Sequence, residues 1–288
     1  MTSFPDFGSS CHMMNELIPN LRELKLVNCC LSDNDISSLF RSDSNFSTSP
    51  IIFDLSHNIL TSSALQLLFN FSSKLQELHL NHCSLIDRSF LMSSASTKMS
   101  LTSLFTLHLS FNLLNSSTIF HWIFNYIVNL RSLSLLDNLL EGPIPSGFGE
   151  VINSLEDVNL SHNKLQGEDP SSLGNICTLQ SLSLSYNNFS GEFPSFIQNS
   201  SLQTLDFSFN WITGMPPTLS VFTSLRYLDL SNNQLTREIP KSIGLLYELK
   251  YLSLKDTSTK YENNDPLFSA ALHLNTFVKN AVAFLKLN

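Results

Sequence analysis

Side chains able to do chemistry fall at regular spacings in this 288-residue chain. His79, His82 and His108 lie on what read as neighbouring short strands, and three imidazoles so placed could ligate a divalent metal. A ligand site also needs fixed outer partners, and the five cysteines, Cys11, Cys29, Cys30, Cys83 and Cys177, form neither a CxxC pair nor a metal spacing. The expectation is therefore no metal and no cofactor. GxSxG, HExxH, a P-loop, GxGxxG after a strand and HRDxxxxN are absent, so no enzyme is expected. What remains is binding chemistry. Rings recur at one position, as His57, His82, Phe111, His162, Tyr186 and Phe209, and Asp206, Asp229, Arg226 and Tyr227 form a second group. Exposed flat side chains lose few rotamers on meeting a partner, which suits a protein or glycan ligand. The competing roles are packing against the neighbouring turn for the rings and a solvated position for the aspartates.

The elements that position these residues come from a repeat. The template LxxLxLxxNxL occurs ten times, and its ninth positions are Cys29, Asn58, Cys83, Asn112, Asn138, Asn163, Asn187, Asn210, Asn233 and Thr257. Alternation in LxL puts the fourth and sixth residues on one face of a short strand, where only a stacked neighbour can cover them. The ninth residue leaves the strand, and an Asn amide there can donate to and accept from buried backbone groups of adjacent turns. Cys29 and Cys83 are assigned the same ladder role, since free Cys is commonly buried. The expected fold is an α/β solenoid, a leucine-rich horseshoe of about ten repeats with one parallel sheet on its concave face. The second, third, fifth, seventh and eighth positions are expected to face solvent there.

Composition agrees with a repeated template. Leu numbers 52, Ser 47 and Asn 28, while charged residues are only 14%. Apolar content of 42% is enough for a core and excludes general disorder. A net charge of -8 leaves no footprint for nucleic acid, so no nucleic-acid partner is expected.

The return segments EGPIPSGFG (141–149), QGEDPSSLGN (166–175), SGEFPSFIQN (190–199), TGMPPTLS (213–220) and TREIPKSIG (236–244) share the form xGxIPxxLG. Gly and Pro there turn the chain out of each strand. Two 29-residue intervals are less regular, and the helical apolar spacing of SALQLLFNF (63–71) and TIFHWIFNYIVNL (118–130) assigns their extra residues to convex helices. The whole pattern, over residues 17–259, resembles the plant-type extracellular leucine-rich repeat of receptor-like proteins and receptor kinases. Irregular early units followed by regular later ones resemble the receptor-like proteins that perceive microbial elicitors, such as fungal xylanase receptors.

That resemblance implies a non-enzymatic recognition module of a plant cell-surface or extracellular receptor-like protein. Its partners would be a peptide, protein or glycan ligand and a receptor kinase as co-receptor. The resemblance also implies a leader, a cysteine-paired cap and a membrane helix, none of which is seen here, so the chain reads as a fragment. Residues 1–16 form an N-terminal segment without a cap, and the off-template tail 260–288 reads either as a helical cap or as unrelated sequence. Two alternatives stay open: a secreted inhibitor of microbial cell-wall hydrolases resembling polygalacturonase inhibitors, and a truncated product without function. Sequons at Asn45, Asn70, Asn115, Asn159, Asn188 and Asn199 favour an extracellular origin, and a glycan on Asn159 would shield part of the concave surface.

Overall fold

Each template strand is three residues long and centred on the fourth template position, whose side chain points inward while its two neighbours face outward, so one coil buries about one large side chain per strand and needs a second coil beside it. The computed structural model describes residues 21–39, 51–71, 74–90, 101–167, 173–174, 176–192, 201–214, 219–235 and 241–254. Asp256, Thr257, Asn45, Asn199, Cys11, the segment 1–16 and the tail 260–288 lie outside them, as does the side chain of Asn70. The chain divides into two units, Met1–Leu139 and Leu140–Asn288.

In the first unit β1 (Glu23–Lys25), β2 (Ile52–Asp54), β3 (Glu77–His79), β4 (Thr106–His108) and β5 (Ser132–Ser134) pair in sequence order, all parallel. Their centres, Leu24, Phe53, Leu78, Leu107 and Leu133, stand opposite one another and are all buried. Burial of such a side chain is worth roughly 1.5–3 kcal/mol, repeated in every coil.

The expected helices form over Ser62–Phe71 and Thr118–Tyr126. They belong to the 25- and 26-residue coils, not to the 29-residue intervals to which the spacing was assigned. The second is also shorter than 118–130: Ile127 is extended, and Leu130, buried, is the first template leucine of the next coil. Ile119, Phe120, Trp122 and Ile123 supply that helix's buried face.

The second unit begins with a short strand, β6 (Glu141–Gly142). Its sheet is built from β7 (Asp157–Asn159), β9 (Ser181–Ser183), β11 (Thr204–Asp206), β13 (Tyr227–Asp229) and β14 (Tyr251–Ser253), parallel with Val158, Leu182, Leu205, Leu228 and Leu252 in register. The return segments hold more regular structure than the Gly and Pro pattern predicts. β6, β8 (Lys164–Gly167), β10 (Asn188–Glu192) and β12 (Trp211–Gly214) form a second parallel sheet. Gly142 and Gly191, both at φ 83, supply the left-handed residue at which the chain turns. An added Cβ at Gly142 would meet nothing within 4 Å, so conformation rather than space selects glycine there.

Asparagine side chains tie coil to coil. Asn210 accepts from Phe189 N at 3.0 Å and donates Nδ2 to Leu184 O at 2.9 Å. Asn58, Asn112, Asn138, Asn187 and Asn233 make the equivalent bonds to both groups of a neighbouring coil, and Asn163 accepts from Leu140 N. Cys83 can do only half of this. Its Sγ donates to Leu55 O at 3.3 Å, but a thiol is a weak acceptor, and Leu60 N turns instead to the Cys83 backbone carbonyl at 3.3 Å. Cys29 is half-exposed and its Sγ donates to Val27 O at 3.4 Å.

Candidate recognition surface

The strands present two outward columns, the third and fifth template positions. In the fifth, Asp54, Asn159, Asp206 and Asp229 each accept the backbone N–H of the seventh residue, Ser56, Ser161, Ser208 and Ser231, at 2.9–3.0 Å. This local side-chain turn ends the strand after three residues. It also corrects the expectation for the serines of the seventh column, whereas Val27 of that column is exposed and Asn81 and Leu136 are half-exposed. Those serines, with Ser110 and Ser185, are buried, because alternation stops where the chain turns inward. Where the fifth residue is Ser, hydroxyls pair across coils, as Ser110 with Ser134 at 2.7 Å and Ser161 with Ser183 at 2.6 Å.

Asp229 requires a second correction. It is buried, and its Oδ1 accepts from Ser231 Oγ at 2.6 Å while its Oδ2 accepts from Tyr227 and Tyr251 hydroxyls at 3.4 and 3.2 Å. The carboxylate therefore locks a tyrosine pair whose rings stack at 4.3 Å and 4°, rather than standing open to a ligand. Burial and the charge of Asp229 raise the Tyr227 pKa above the ordinary phenol value. Asp206 is half-exposed and Arg226 exposed.

His79 and His108 share a contact between their Nδ1 atoms at 3.0 Å, and His108 Nε2 lies 3.4 Å from Ser132 Oγ. Burial, and then the neighbouring His79, push the His108 pKa down to about 4, so it is neutral near pH 7. His82 does not join them. Its ring is sandwiched between His57, at 4.4 Å, and Phe111, at 4.3 Å.

That sandwich belongs to the eighth column, whose geometry the sequence did not disclose. Asn28, His57, His82, Phe111, Asp137, His162, Tyr186, Phe209 and Asn232 all have φ between 53 and 61°. Such a left-handed residue costs roughly 1–2 kcal/mol outside glycine. The cost is offset by backbone bonds: His82 N donates to Ser110 O, Tyr186 N to Ser208 O and Phe209 N to Ser231 O, each at 2.9–3.0 Å. With coils about 4.8 Å apart, side chains leaving identical turns stack face to face. In the first unit the row is His57, His82, Phe111; in the second it is His162, Tyr186, Phe209, at 4.1 and 4.0 Å. Packing and exposure coexist, since Phe111, Tyr186 and Phe209 keep 40–43% of their surface in solvent.

Sequence reasoning overlooked the tenth column. Ile59, Leu113, Leu139 and Trp211 there are 77, 49, 40 and 54% exposed, and the same period that located the rings would have found them. Among the described residues no helix is long and apolar enough to cross a membrane.

Leucine-rich-repeat family models match residues 18–40, 129–151, 154–176 and 177–235. The receptor-like protein EIX2 of Solanum lycopersicum is 38% identical over 110 residues, covering 38% of this chain and 10% of its own length, so the chain spans about a tenth of that relative. Among solved structures, the PEPR1–AtPEP1 complex is similar at a TM-score of 0.59 and 26% identity, over 78% of this chain and 30% of that one. The Arabidopsis receptor kinase HAESA, solved with the peptide hormone IDA and the co-receptor SERK1, is similar at 0.57 and 27% identity, over 72% of this chain and 33% of its own.

Proposed function

We propose that this chain, which carries leucine-rich repeats and is similar to plant receptor-like proteins, is part of a cell-surface recognition ectodomain. It binds an extended peptide or a protein segment along its strand face, without catalysis, and a receptor kinase acts as co-receptor. The observation that carries this reading is the strand face of residues 140–288. Ser181, Ser183, Thr204, Asp206, Tyr227 and Ser253 stand there half-exposed on strands held in unbroken register. Hydroxyls and a carboxylate on a rigid lattice can take up the donors of an extended partner at little ordering cost to the receptor. The Tyr227–Tyr251 stack, fixed by Asp229, adds an aromatic anchor of the kind that dominates binding energy. HAESA was solved with a peptide hormone and a co-receptor, which favours the same class of ligand here.

The test uses the purified full chain against a fungal xylanase and a phage-displayed peptide library. Ser181→Arg with Thr204→Arg lays two long side chains over the face without touching the core. Probe affinity is expected to fall at least about tenfold, equal to 1.4 kcal/mol, with melting temperature unchanged. Binders whose affinity ignores this pair would contradict the proposal.

A further inference from the structure

An open groove of about 440 Å³ runs along the second unit between the eighth and tenth columns. Its walls are Tyr186, Phe209 and Asn232 on one side and Asn188, Trp211 and Gln234 on the other, above the ladder residues Asn187, Asn210 and Asn233. None of these side chains is charged. The ladder amides are committed to neighbouring coils. Asn188 and Gln234 are exposed and Asn232 is half-exposed, and their side chains make no hydrogen bond with a described residue. Trp211 leaves 54% of its surface in solvent and makes no ring contact with a described residue. An exposed indole face beside three unengaged amides suits a neutral sugar. The apolar C–H face of a pyranose lies on the ring, and its hydroxyls and acetamide meet groups that both donate and accept.

Asn188 begins the sequon Asn188-Phe189-Ser190 and itself lines this groove. The sequon at Asn159 differs: that residue is half-buried and its Oδ1 is held by Ser161 N at 3.0 Å.

We infer that the N-linked glycan of Asn188 folds back into this groove, its core sugars seated on Trp211 and against the edges of Tyr186 and Phe209. This rests on the cell-surface reading, since the transfer belongs to the secretory pathway. In that transfer Asn188 Nδ2 bonds the anomeric carbon of a lipid-pyrophosphate oligosaccharide and gives up a proton, and the lipid pyrophosphate leaves with the bonding pair. Tethering supplies a high effective concentration, so contacts too weak to hold a free sugar hold this one. The seated glycan covers the ring row of the second unit, leaving its strand face and the His57–His82–Phe111 row of the first unit open to partners.

The experiment uses the full chain secreted from a eukaryotic host, with glycopeptide mass spectrometry and enzymatic deglycosylation of the native protein. Asn188 is expected to be occupied. Its glycan should be released about tenfold more slowly than that of Asn115, an exposed sequon of the first unit, because release requires the unseated state. Trp211→Ala should keep occupancy and abolish the protection, and in the wild type the acetamide methyl resonances should shift upfield from the indole ring current. Equal release rates that Trp211→Ala leaves unchanged would overturn the seating, as would Asn115 occupied with Asn188 empty. Material purified from the plant separates the two ideas: a chain bearing no glycan at any sequon overturns the cell-surface reading and the seating together, whereas glycan elsewhere but not on Asn188 overturns the seating alone.

Discussion

Replacing Asn210 by Ala removes four hydrogen bonds, but their loss is not uniform. Leu184 O keeps a donor in Asn187 Nδ2 at 3.1 Å, Phe207 O keeps Asn233 Nδ2 at 2.9 Å, and Ser208 O keeps Tyr186 N at 3.0 Å. Phe189 N loses Asn210 Oδ1, the acceptor it reaches at 3.0 Å, and it lies in a buried setting. An orphaned buried donor costs roughly 1–3 kcal/mol, and losing the net worth of the bond to Leu184 O adds about 1. Asn210→Ala should therefore destabilise the unglycosylated chain by about 2–4 kcal/mol in urea unfolding, and hydrogen exchange at the Phe189 amide should accelerate by at least about thirtyfold. Asn188→Ala, one coil away on an exposed side chain, should change stability by less than about 0.5 kcal/mol. A loss below about 0.5 kcal/mol for Asn210→Ala, with Phe189 still protected, would refute the ladder as a source of coil coupling.

Burial pushes the Cys83 thiol up to about 11; at pH 8 roughly 0.1% is thiolate, so an aromatic disulfide reagent should label exposed Cys30 and Cys177 in the native chain and reach Cys83 only after unfolding. The pKa of His108 is lower folded, about 4, than unfolded, about 6.5. The unfolded chain thus binds the extra proton across that window, and stability should decline as pH falls from 6.5 to 4, a slope that His108→Gln should flatten in pH-dependent urea midpoints. His79, Glu77 and Asp54 are the other titratable groups around it, and Asp54 opposes the shift. Replacing His57, His82 and Phe111 together by Ser should weaken binding of a library-selected protein probe at least about tenfold, with little change in melting because each ring is exposed; unchanged binding would remove this row from the recognition surface.

Much of the fold was legible because burial imposes the leucine spacing. Leu107, Leu133 and Leu182 can be placed from LxL alone, and all are buried. The asparagine positions were equally readable, since a residue that both donates and accepts has one useful place in a stacked turn. The serines of the seventh column were misread because a period of two was carried past the end of a three-residue strand, where Asp54, Asn159, Asp206 and Asp229 turn the chain. The left-handed eighth column was faint, since none of its nine described residues is Gly; Asn28, Asn232, Asp137 and the three histidines are types enriched at positive φ, but Phe111, Tyr186 and Phe209 give no such hint. Asp229 read as a ligand contact because a sequence cannot show two tyrosine hydroxyls closing over one carboxylate. Trp211 and Ile59 were passed over because the template was read for buried positions and not for exposed ones.

The strand face as the binding wall is tested most directly by photo-crosslinking from single benzophenone probes. One probe replaces Ser183 and another Thr204, both half-exposed on the strands, and a third replaces Ser220, an exposed residue at the end of the return segment 213–220. With a library-selected peptide as partner, the account predicts crosslinks from residues 183 and 204 and none from 220. Crosslinking from 220 with none from either strand position would contradict it.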